Sequence, residues 1–263
     1  KGFREIPLVL YMHENQVAYP SCDPRDASFA CTNLQSVLTA DLAIFNSQWN
    51  RDSFIDGINT LIRQSPDNTL RDVEGRIENN SSVAWVPVEV PPVNSRVLHN
   101  SDLRGRQIPT TVVWPHRWEH DKGPDRLLDV ARTYSEPLNL RWIILGEQFS
   151  EIPESLRTFG NEFADRITHM GYVESKGEYW QWLHKADWVL STANHEFFGI
   201  AVVEALFAGC LPWVPEKLSY LELLPDCGRG LTPEHPPGDP ESVKEAIAAH
   251  LERARAPQAV DRI

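Results

Sequence analysis

The feature that most constrains this chain is the regular alternation of short apolar segments with longer amphipathic ones. The short segments are rich in β-branched and aromatic residues, which predicts buried strands, and the longer ones have the apolar spacing of helices. Strands joined by helices of about ten or more residues pair in parallel through right-handed crossovers. The sequence therefore predicts an α/β fold built on parallel sheets.

The predicted elements divide into two blocks. Strands are predicted at 8–12, 42–46, 83–86, 110–114, 140–145, 167–171, 188–192 and 211–214. Helices are predicted at 27–40, 47–63, 123–134, 153–163, 176–184, 199–209 and 240–255, with Ser47 as an N-cap and a short helix within 65–80. The proline-rich segment 87–109 between the blocks predicts a linker.

We therefore expect two Rossmann-like, doubly wound domains that face a cleft, residues 1–97 and 98–263. The first of these starts directly on a strand, so we expect it to lack its first elements.

Composition narrows the classes of partner. The formal net charge of −12 provides no global attraction to nucleic acid or to an anionic membrane. No apolar run reaches the roughly 18 residues of a membrane span. The four cysteines, Cys22, Cys31, Cys210 and Cys227, form no C-x-x-C pair and are expected to be reduced. These features predict a cytoplasmic protein with no membrane partner.

Polar residues follow nearly every predicted strand. His13, Glu14, Asn15 and Gln16 follow the first strand, and Asn46 and Ser47 follow a later one. In the second block the same positions hold Arg117, Lys122, Gly146, Gly171, Tyr172 and Glu196. Doubly wound domains bind ligands beyond the carboxyl ends of their strands, so this recurrence favours a ligand cleft.

Glu196 and Glu204 form the strongest local pattern. Glu196 precedes a predicted helix, and Glu204 lies about two turns into it. Between them, Phe198, Gly199 and Ile200 are expected to expose backbone N–H groups at the helix N-terminus, which suits a phosphate. The alternative is that Glu196 is a capping charge and Glu204 a surface residue. Glu204 interrupts a nearly all-apolar helix, and this favours the interpretation that the two glutamates contact a ligand.

Arg117 and Lys122 form a second pattern, because two cations can stabilise a departing pyrophosphate in place of a metal. The chain has no aspartate-x-aspartate pair placed for a divalent cation, although an arginine and a lysine five apart are more often surface charges.

His116 to His120 match the H-x-x-E-H zinc pattern. A zinc site of this kind needs both histidines on one continuous helix. Pro115 directly before the motif and the predicted turn at Asp121–Gly123 directly after it argue against such a helix.

Five longer motifs identify a family resemblance. They are YMHENQ at 11–16, ADLAIFNSQWNRDSF at 40–54, WPHRWEHDKGPD at 114–125, HMGYVESKGEYW at 169–180 and STANHEFFGIAVVEAL at 191–206. Together they resemble the glycosyltransferase-like domain-containing proteins that include the tRNA-queuosine α-mannosyltransferases, within the retaining GT-B glycosyltransferases of family 4.

The resemblance implies roles for individual residues. Arg117 and Lys122 are expected to hold the donor pyrophosphate, Glu196 the hydroxyls of the transferred sugar, and Glu204 the ribose. Further expected donor contacts are Gly146, Gly171, Tyr172, Val173, Phe198, Gly199 and Ile200. His13 is expected beside the transferred sugar and the acceptor, and is catalytic, like Glu196, only in orienting and stabilising. Glu14, Asn15, Gln16, Asn46 and Ser47 are expected on the acceptor side.

The implied reaction is transfer of mannose, with retention, from GDP-mannose to the queuosine base of a tRNA, without a metal or other cofactor. Two alternatives stay open. One is a glycosyltransferase acting on a small molecule or a glycan, which the acidic net charge favours over a tRNA acceptor. The other is a non-catalytic module that binds a nucleotide sugar or RNA. The sequence does not fix the base of the donor, the acceptor or the oligomeric state.

Overall fold

The computed structural model describes residues 6–19, 26–64, 72–88, 110–148 and 151–224. By contacts within the backbone the chain divides into two units. Unit 1 comprises residues 1–87 together with 195–198, and unit 2 comprises 88–194 and 199–263. The predicted domain boundary after residue 97, the helix at 240–255, Cys22 and Cys227 lie outside the described residues. Cys31 and Cys210 are free thiols.

Unit 1 contains a parallel sheet of three described strands in the order β1-β2-β3. They are β1 (Val9–Met12), β2 (Leu42–Phe45) and β3 (Ser81–Val83). The helices are α1 (Asp26–Thr39), α2 (Gln48–Gln64) and α3 (Val73–Asn79). Its core contains the buried side chains of Met12, Phe45, Phe54, Ile58 and Ile77. Burial of this apolar face is the main stabilising contribution to the unit.

Unit 2 contains a parallel sheet of five described strands in the order β6-β5-β4-β7-β8. The strands are β4 (Thr110–Pro115), β5 (Leu140–Leu145), β6 (Ile167–Gly171), β7 (Trp188–Leu190) and β8 (Leu211–Trp213). The helices are α4 (Pro124–Tyr134), α5 (Glu154–Glu162), α6 (Lys176–Lys185), α7 (Ile200–Phe207) and α8 (Tyr220–Leu223), with a 3₁₀ turn at His120–Lys122.

The strand order of unit 2 places a switch point between β4 and β7. From β4 the chain runs outward through β5 to β6, then returns to pair β7 with the opposite edge of β4. Connections on the two sides therefore diverge at the carboxyl ends of β4 and β7, where doubly wound sheets bind ligands. The segments that follow these two strands, 116–123 and 191–194, lie at this point.

The α/β class and the parallel pairing are confirmed, and β5 and β6 have the predicted bounds. Two strands differ. The third strand of unit 1 covers Ser81–Val83 instead of 83–86, because these residues pair with Ala43–Phe45 of β2. At the two ends of this pairing, the Ala43 N–H donates to the Asn80 carbonyl and the Ala84 N–H donates to the Phe45 carbonyl. Strand β7 ends at Leu190 instead of Thr192, because Leu190 is its last paired residue and lies opposite Trp213, where β8 ends.

The predicted N-cap at Ser47 is confirmed, since its hydroxyl accepts a hydrogen bond from Asn50 N–H at 2.9 Å. Trp180 and Trp188 are buried. In the described parts of the chain, no helix has both the length and the apolar character required to cross a bilayer.

Candidate functional site

The two predicted pyrophosphate ligands lie in the segment that follows β4. Arg117 is half exposed, and its Nη2 atom lies 3.4 Å from Glu119 Oε2. Lys122 is buried, and its Nζ atom lies 3.1 Å from Asp121 Oδ2. The structure thus places both cations at the switch point of unit 2, one accessible and one enclosed. A buried cation needs a compensating anion, and Asp121 provides it.

Thr192 joins the segments that follow β4 and β7. Trp114 Nε1 donates to Thr192 Oγ1 at 2.8 Å, and Thr192 Oγ1 donates to the Lys122 carbonyl at 2.9 Å. The Asn194 N–H also donates to the Asp121 carbonyl at 2.8 Å. These bonds fix the backbone conformation at Asp121 and Lys122. Sequence reasoning missed Thr192, although a hydroxyl directly after an apolar strand is a signal that could have suggested it.

Gly123 allows this close approach. Its φ of 66° lies in the left-handed region, and a Cβ atom placed there would lie 2.1 Å from the Thr192 carbonyl oxygen. Both facts exclude a side chain at this position without movement of the backbone. Gly123 is also the N-cap of α4. The first residue of this helix is Pro124, and proline suits the first helical position.

His116 is buried beside the two cations. Burial, together with the positive charges of Lys122 and Arg117, lowers the pKa of His116 to about 3. The imidazole is therefore neutral at physiological pH, and its Nε2 atom has no hydrogen-bonding partner among the described residues. His116 and His120 do not share a helix, because the first follows a strand and the second begins a 3₁₀ turn. Within the described ranges no cluster of three or more His, Cys, Asp or Glu could hold a metal.

Gly146 and the segment Gly171–Val173 follow β5 and β6. Gly146 N–H donates to the Gly171 carbonyl at 3.2 Å, so the two strand ends are adjacent. A Cβ atom at Gly146 would lie 2.0 Å from the His116 carbonyl oxygen, so only glycine fits here. Tyr172 is 59% exposed and Val173 is half-buried. The segment Gly171–Val173, which is expected to contact the donor, therefore presents an accessible aromatic ring.

Glu204 is buried in α7 and paired with two side chains of α6. Lys176 Nζ donates to Glu204 Oε1, and the Tyr179 hydroxyl is hydrogen-bonded to the same carboxylate. Burial first, and then the negative charge of Glu204 and its hydrogen bond, raise the pKa of Tyr179. The alternative expectation, that Glu204 is a surface residue, is therefore wrong. Sequence reasoning missed Lys176 and Tyr179, although their spacing of three on a predicted helix places them on one face.

In unit 1, the residues that follow β1 divide into exposed and buried ones. His13 and Glu14 are exposed, and the His13 ring lies edge-on to Tyr11 at 4.8 Å between centroids. Gln16 is half-buried, and its N–H donates to Asn33 Oδ1 at 2.8 Å. Asn15 is fully buried: its Nδ2 donates to Asn50 Oδ1 at 2.8 Å, and its Oδ1 accepts from Ala18 N–H at 2.8 Å. Asn15 therefore shapes the turn that presents His13 and Glu14.

Asn46, Ser47 and Asn50 form a buried network beneath that turn. Asn46 Nδ2 donates to the His13 carbonyl at 2.6 Å, and Asn50 Nδ2 donates to Asn46 Oδ1 at 2.7 Å and to the Met12 carbonyl at 3.1 Å. Asn46 and Ser47 are thus brought together with the His13 turn but are themselves enclosed. Asn50 was not predicted, although an asparagine three residues after an N-cap, on the apolar side of a helix, was a usable signal.

The segment that carries Glu196 is held in unit 1 by contacts of its neighbours. Ser47 Oγ donates to the Phe197 carbonyl at 2.5 Å, and the His195 ring lies 5.1 Å from Tyr19. The Phe198 ring lies 6.1 Å from Trp85. Glu196 is half-buried. His13 and Glu196 therefore belong to one unit.

The remaining predicted donor contacts of this motif belong to unit 2. Gly199 has a φ of 91° and is the N-cap of α7, which begins at Ile200, so the helix start agrees with the sequence prediction to within one residue.

Family models match both parts of the chain. Residues 1–88 match the model described as tRNA-queuosine alpha-mannosyltransferase N-terminal, and residues 104–261 match glycosyl transferases group 1. The chain is 35% identical over 225 residues to the tRNA-queuosine alpha-mannosyltransferase of Drosophila melanogaster. That alignment covers 82% of this chain, and the chain spans 59% of the length of the relative.

Solved structures share the fold of this chain. HepE of Anabaena in complex with UDP and glucose aligns with a TM-score of 0.67 and 17% identity, covering 97% of this chain and 66% of that one. Sucrose-phosphate synthase of Thermosynechococcus elongatus aligns with a TM-score of 0.58 and 17% identity, covering 94% and 63%. At these identities the similarity shows the fold alone.

Proposed function

The chain belongs to the glycosyl transferases group 1 family, and on that premise we propose that it is the larger part of a retaining mannosyltransferase of GT-B type. Its donor is GDP-mannose and its acceptor is the queuosine base of a tRNA. The observation that carries this proposal is the 35% identity over 225 residues to a tRNA-queuosine alpha-mannosyltransferase, which extends across residues of both units. A cytoplasmic location is part of the same proposal.

The chemistry of unit 2 supports a nucleoside diphosphate as the leaving group. Arg117 and Lys122 stand at the carboxyl end of β4, where a pyrophosphate would receive two positive charges. Because His116 is neutral, it adds no third charge and leaves these two to balance the diphosphate. Glu204 takes the ribose hydroxyls, and the segment at Gly171–Val173 borders the base, with Tyr172 exposed.

The proposed reaction breaks the bond between the anomeric carbon of mannose and the diphosphate oxygen. A hydroxyl of the acceptor forms the new bond on the same face, and its proton passes to the departing phosphate oxygen. The cations stabilise the charge that develops on the diphosphate, which is how such groups lower a barrier. Glu196 and His13 orient and stabilise the mannosyl group and act neither as nucleophile nor as general base.

The test uses the full-length protein with radiolabelled GDP-mannose and two tRNA preparations, one carrying queuosine and one lacking it. Label transferred only to queuosine-bearing tRNA is the expected result. If GDP-mannose binds, or is slowly hydrolysed, without transfer to either tRNA, the acceptor is a small molecule or a glycan instead. If no donor binds, the proposal of an enzyme on this scaffold is overturned.

The Glu196→Ala variant tests the assignment of the site within the same experiment. We expect it to abolish transfer, because the mannosyl hydroxyls lose their acceptor of hydrogen bonds. Thermal unfolding of the variant, measured beside the wild type, establishes that it is folded. Unchanged turnover in Glu196→Ala would contradict the assignment.

A further inference from the structure

The buried carboxylate of Glu204 has two partners on α6 that the proposed reaction does not yet use. The Glu204 side chain is 8% exposed, and a carboxylate removed from water is costly unless hydrogen bonds and an opposite charge compensate it. Lys176 Nζ and the Tyr179 hydroxyl both bond to it. We call these three side chains the Glu204 cluster.

The members of the cluster differ in exposure. Lys176 is 57% exposed, whereas Glu204 is nearly enclosed. The Lys176 ammonium also lies 4.7 Å from the centroid of the Tyr179 ring, within cation–π range. Lys176 and Tyr179 are one turn apart on α6, so the ammonium is held between the ring and the carboxylate. An exposed lysine with two such contacts has a restricted position.

The position of α6 relates the cluster to the nucleotide. Helix α6 begins at Lys176, three residues after the segment Gly171–Val173 that is proposed to border the base. Ser175 caps this helix by accepting a hydrogen bond from Glu178 N–H at 3.1 Å, which fixes its first turn. The same short stretch therefore carries the base-bordering backbone and the lysine that bonds Glu204.

We propose that Lys176 and Tyr179 are positioning residues that aim the Glu204 carboxylate at the vicinal hydroxyls of the donor ribose, and so select nucleotides with an intact ribose. This inference rests on the proposed function, since it takes a nucleoside diphosphate as the ligand of unit 2. Two donors fixed on one carboxylate leave its remaining lone pairs in a defined direction. A pre-oriented acceptor discriminates strongly against a ligand that lacks the matching hydroxyl.

The experiment measures binding of GDP, 2′-deoxy-GDP and 3′-deoxy-GDP by calorimetry to the full-length protein. The variants are Lys176→Met, Tyr179→Phe and Lys176→Arg. Lys185→Met is the matched control, because Lys185 is also a lysine of α6 in cation–π contact, 3.9 Å from the Trp182 ring centroid. Thermal unfolding of each variant establishes that it is folded.

We expect the wild type to prefer GDP over the deoxy analogues, and Lys176→Met and Tyr179→Phe to reduce that preference by about ten-fold. Lys176→Arg should restore most of it, because guanidinium also donates to a carboxylate, and Lys185→Met should not change it. With GDP-mannose, KM should rise in Lys176→Met while kcat stays within about two-fold of the wild type.

The outcomes separate the inference from the function on which it rests. An unchanged preference in folded Lys176→Met and Tyr179→Phe overturns the inference and leaves the glycosyltransferase proposal standing. A wild type that binds neither GDP nor UDP overturns both. Failure of transfer to queuosine-bearing tRNA, with GDP still bound, concerns the acceptor alone, and the preference between GDP and its deoxy analogues then decides the inference.

Discussion

At the scale of single residues, Arg117 and Lys122 show how one short segment holds two cations in different states. The ion pair between Arg117 and Glu119 is half exposed, and such surface pairs contribute little to stability, so a ligand can replace Glu119 at small cost. Lys122 is enclosed beside Asp121 and cannot be rearranged so easily. Arg117 is therefore the residue whose loss should weaken ligand binding without unfolding the protein.

We expect Arg117→Met to weaken GDP binding by about ten-fold to a hundred-fold, the usual effect of losing a charged hydrogen bond. Arg132→Met is the matched control, because the Arg132 side chain is as exposed as that of Arg117, 49% in each case, and is also paired, with Glu162. Calorimetric titration with GDP measures both. Equal affinities for the two variants would contradict the placement of the pyrophosphate beside Arg117.

His116 makes the stability of the protein depend on pH in the acid range. Because its pKa falls from 6.5 to about 3 on folding, the unfolded chain binds a proton between these values that the native protein does not. The stabilising contribution is complete above pH 6.5 and decreases as the pH falls. From pH 7 to pH 5 we expect His116 alone to remove about 2 kcal/mol from the free energy of unfolding.

Urea unfolding at pH 7, 6 and 5 tests this, with His116→Gln compared with the wild type. His116→Gln should show a shallower loss of stability as the pH falls, whatever its stability at pH 7. Val113→Ala is a cavity variant in β4, the strand that precedes His116. Its loss of free energy relative to the wild type should be the same at each pH, because no titrating group is removed. Parallel curves for His116→Gln and the wild type would show that His116 titrates normally.

At the scale of elements, the connection from β4 to α4 depends on the close approach of Gly123 to the segment after β7. Trp114, Thr192 and the Lys122 carbonyl form a continuous hydrogen-bonded chain across this connection. The backbone can reach that position only because Gly123 lacks a Cβ atom. The position of Lys122 thus depends on a glycine that need not contact a ligand itself.

We expect Gly123→Ala to destabilise the protein by about 2 kcal/mol or more, through its left-handed φ and the contact with Thr192. Gly177→Ala is the matched control: a Cβ at this helical glycine would meet nothing within 4 Å, so alanine should be neutral or stabilising by about 0.5–1 kcal/mol. Chemical denaturation measures both. Equal stabilities would show that the Gly123 backbone relaxes freely.

At the scale of the whole molecule, charge determines how the donor can be held. The chain has a net charge of −12, so Arg117 and Lys122 would have to hold a diphosphate within a molecule that is acidic overall. If these two cations balance the diphosphate, no divalent ion is required for binding.

We expect dialysis against EDTA to leave the affinity for GDP unchanged within about two-fold. Calorimetry isolates the donor side from the tRNA, whose own folding needs magnesium. Loss of GDP binding after dialysis, restored by Mg²⁺ or Mn²⁺, would show that a metal carries the charge instead. A variant that lacks Arg117 should respond to EDTA in the same way as the wild type.

The sequence by itself determined the element types, the parallel sheets, the strand ends that carry Arg117 and Lys122, and the helix that carries Glu204, because periodicity and strand-end chemistry are local properties. It predicted the N-cap at Ser47 and the start of α7 for the same reason. Only the tertiary structure decided that Asn15, Asn46 and Ser47 are enclosed, that Lys176 and Tyr179 hold Glu204, and that His116 is neutral. Burial and pairing depend on residues distant in the chain, and no local pattern encodes which of them meet.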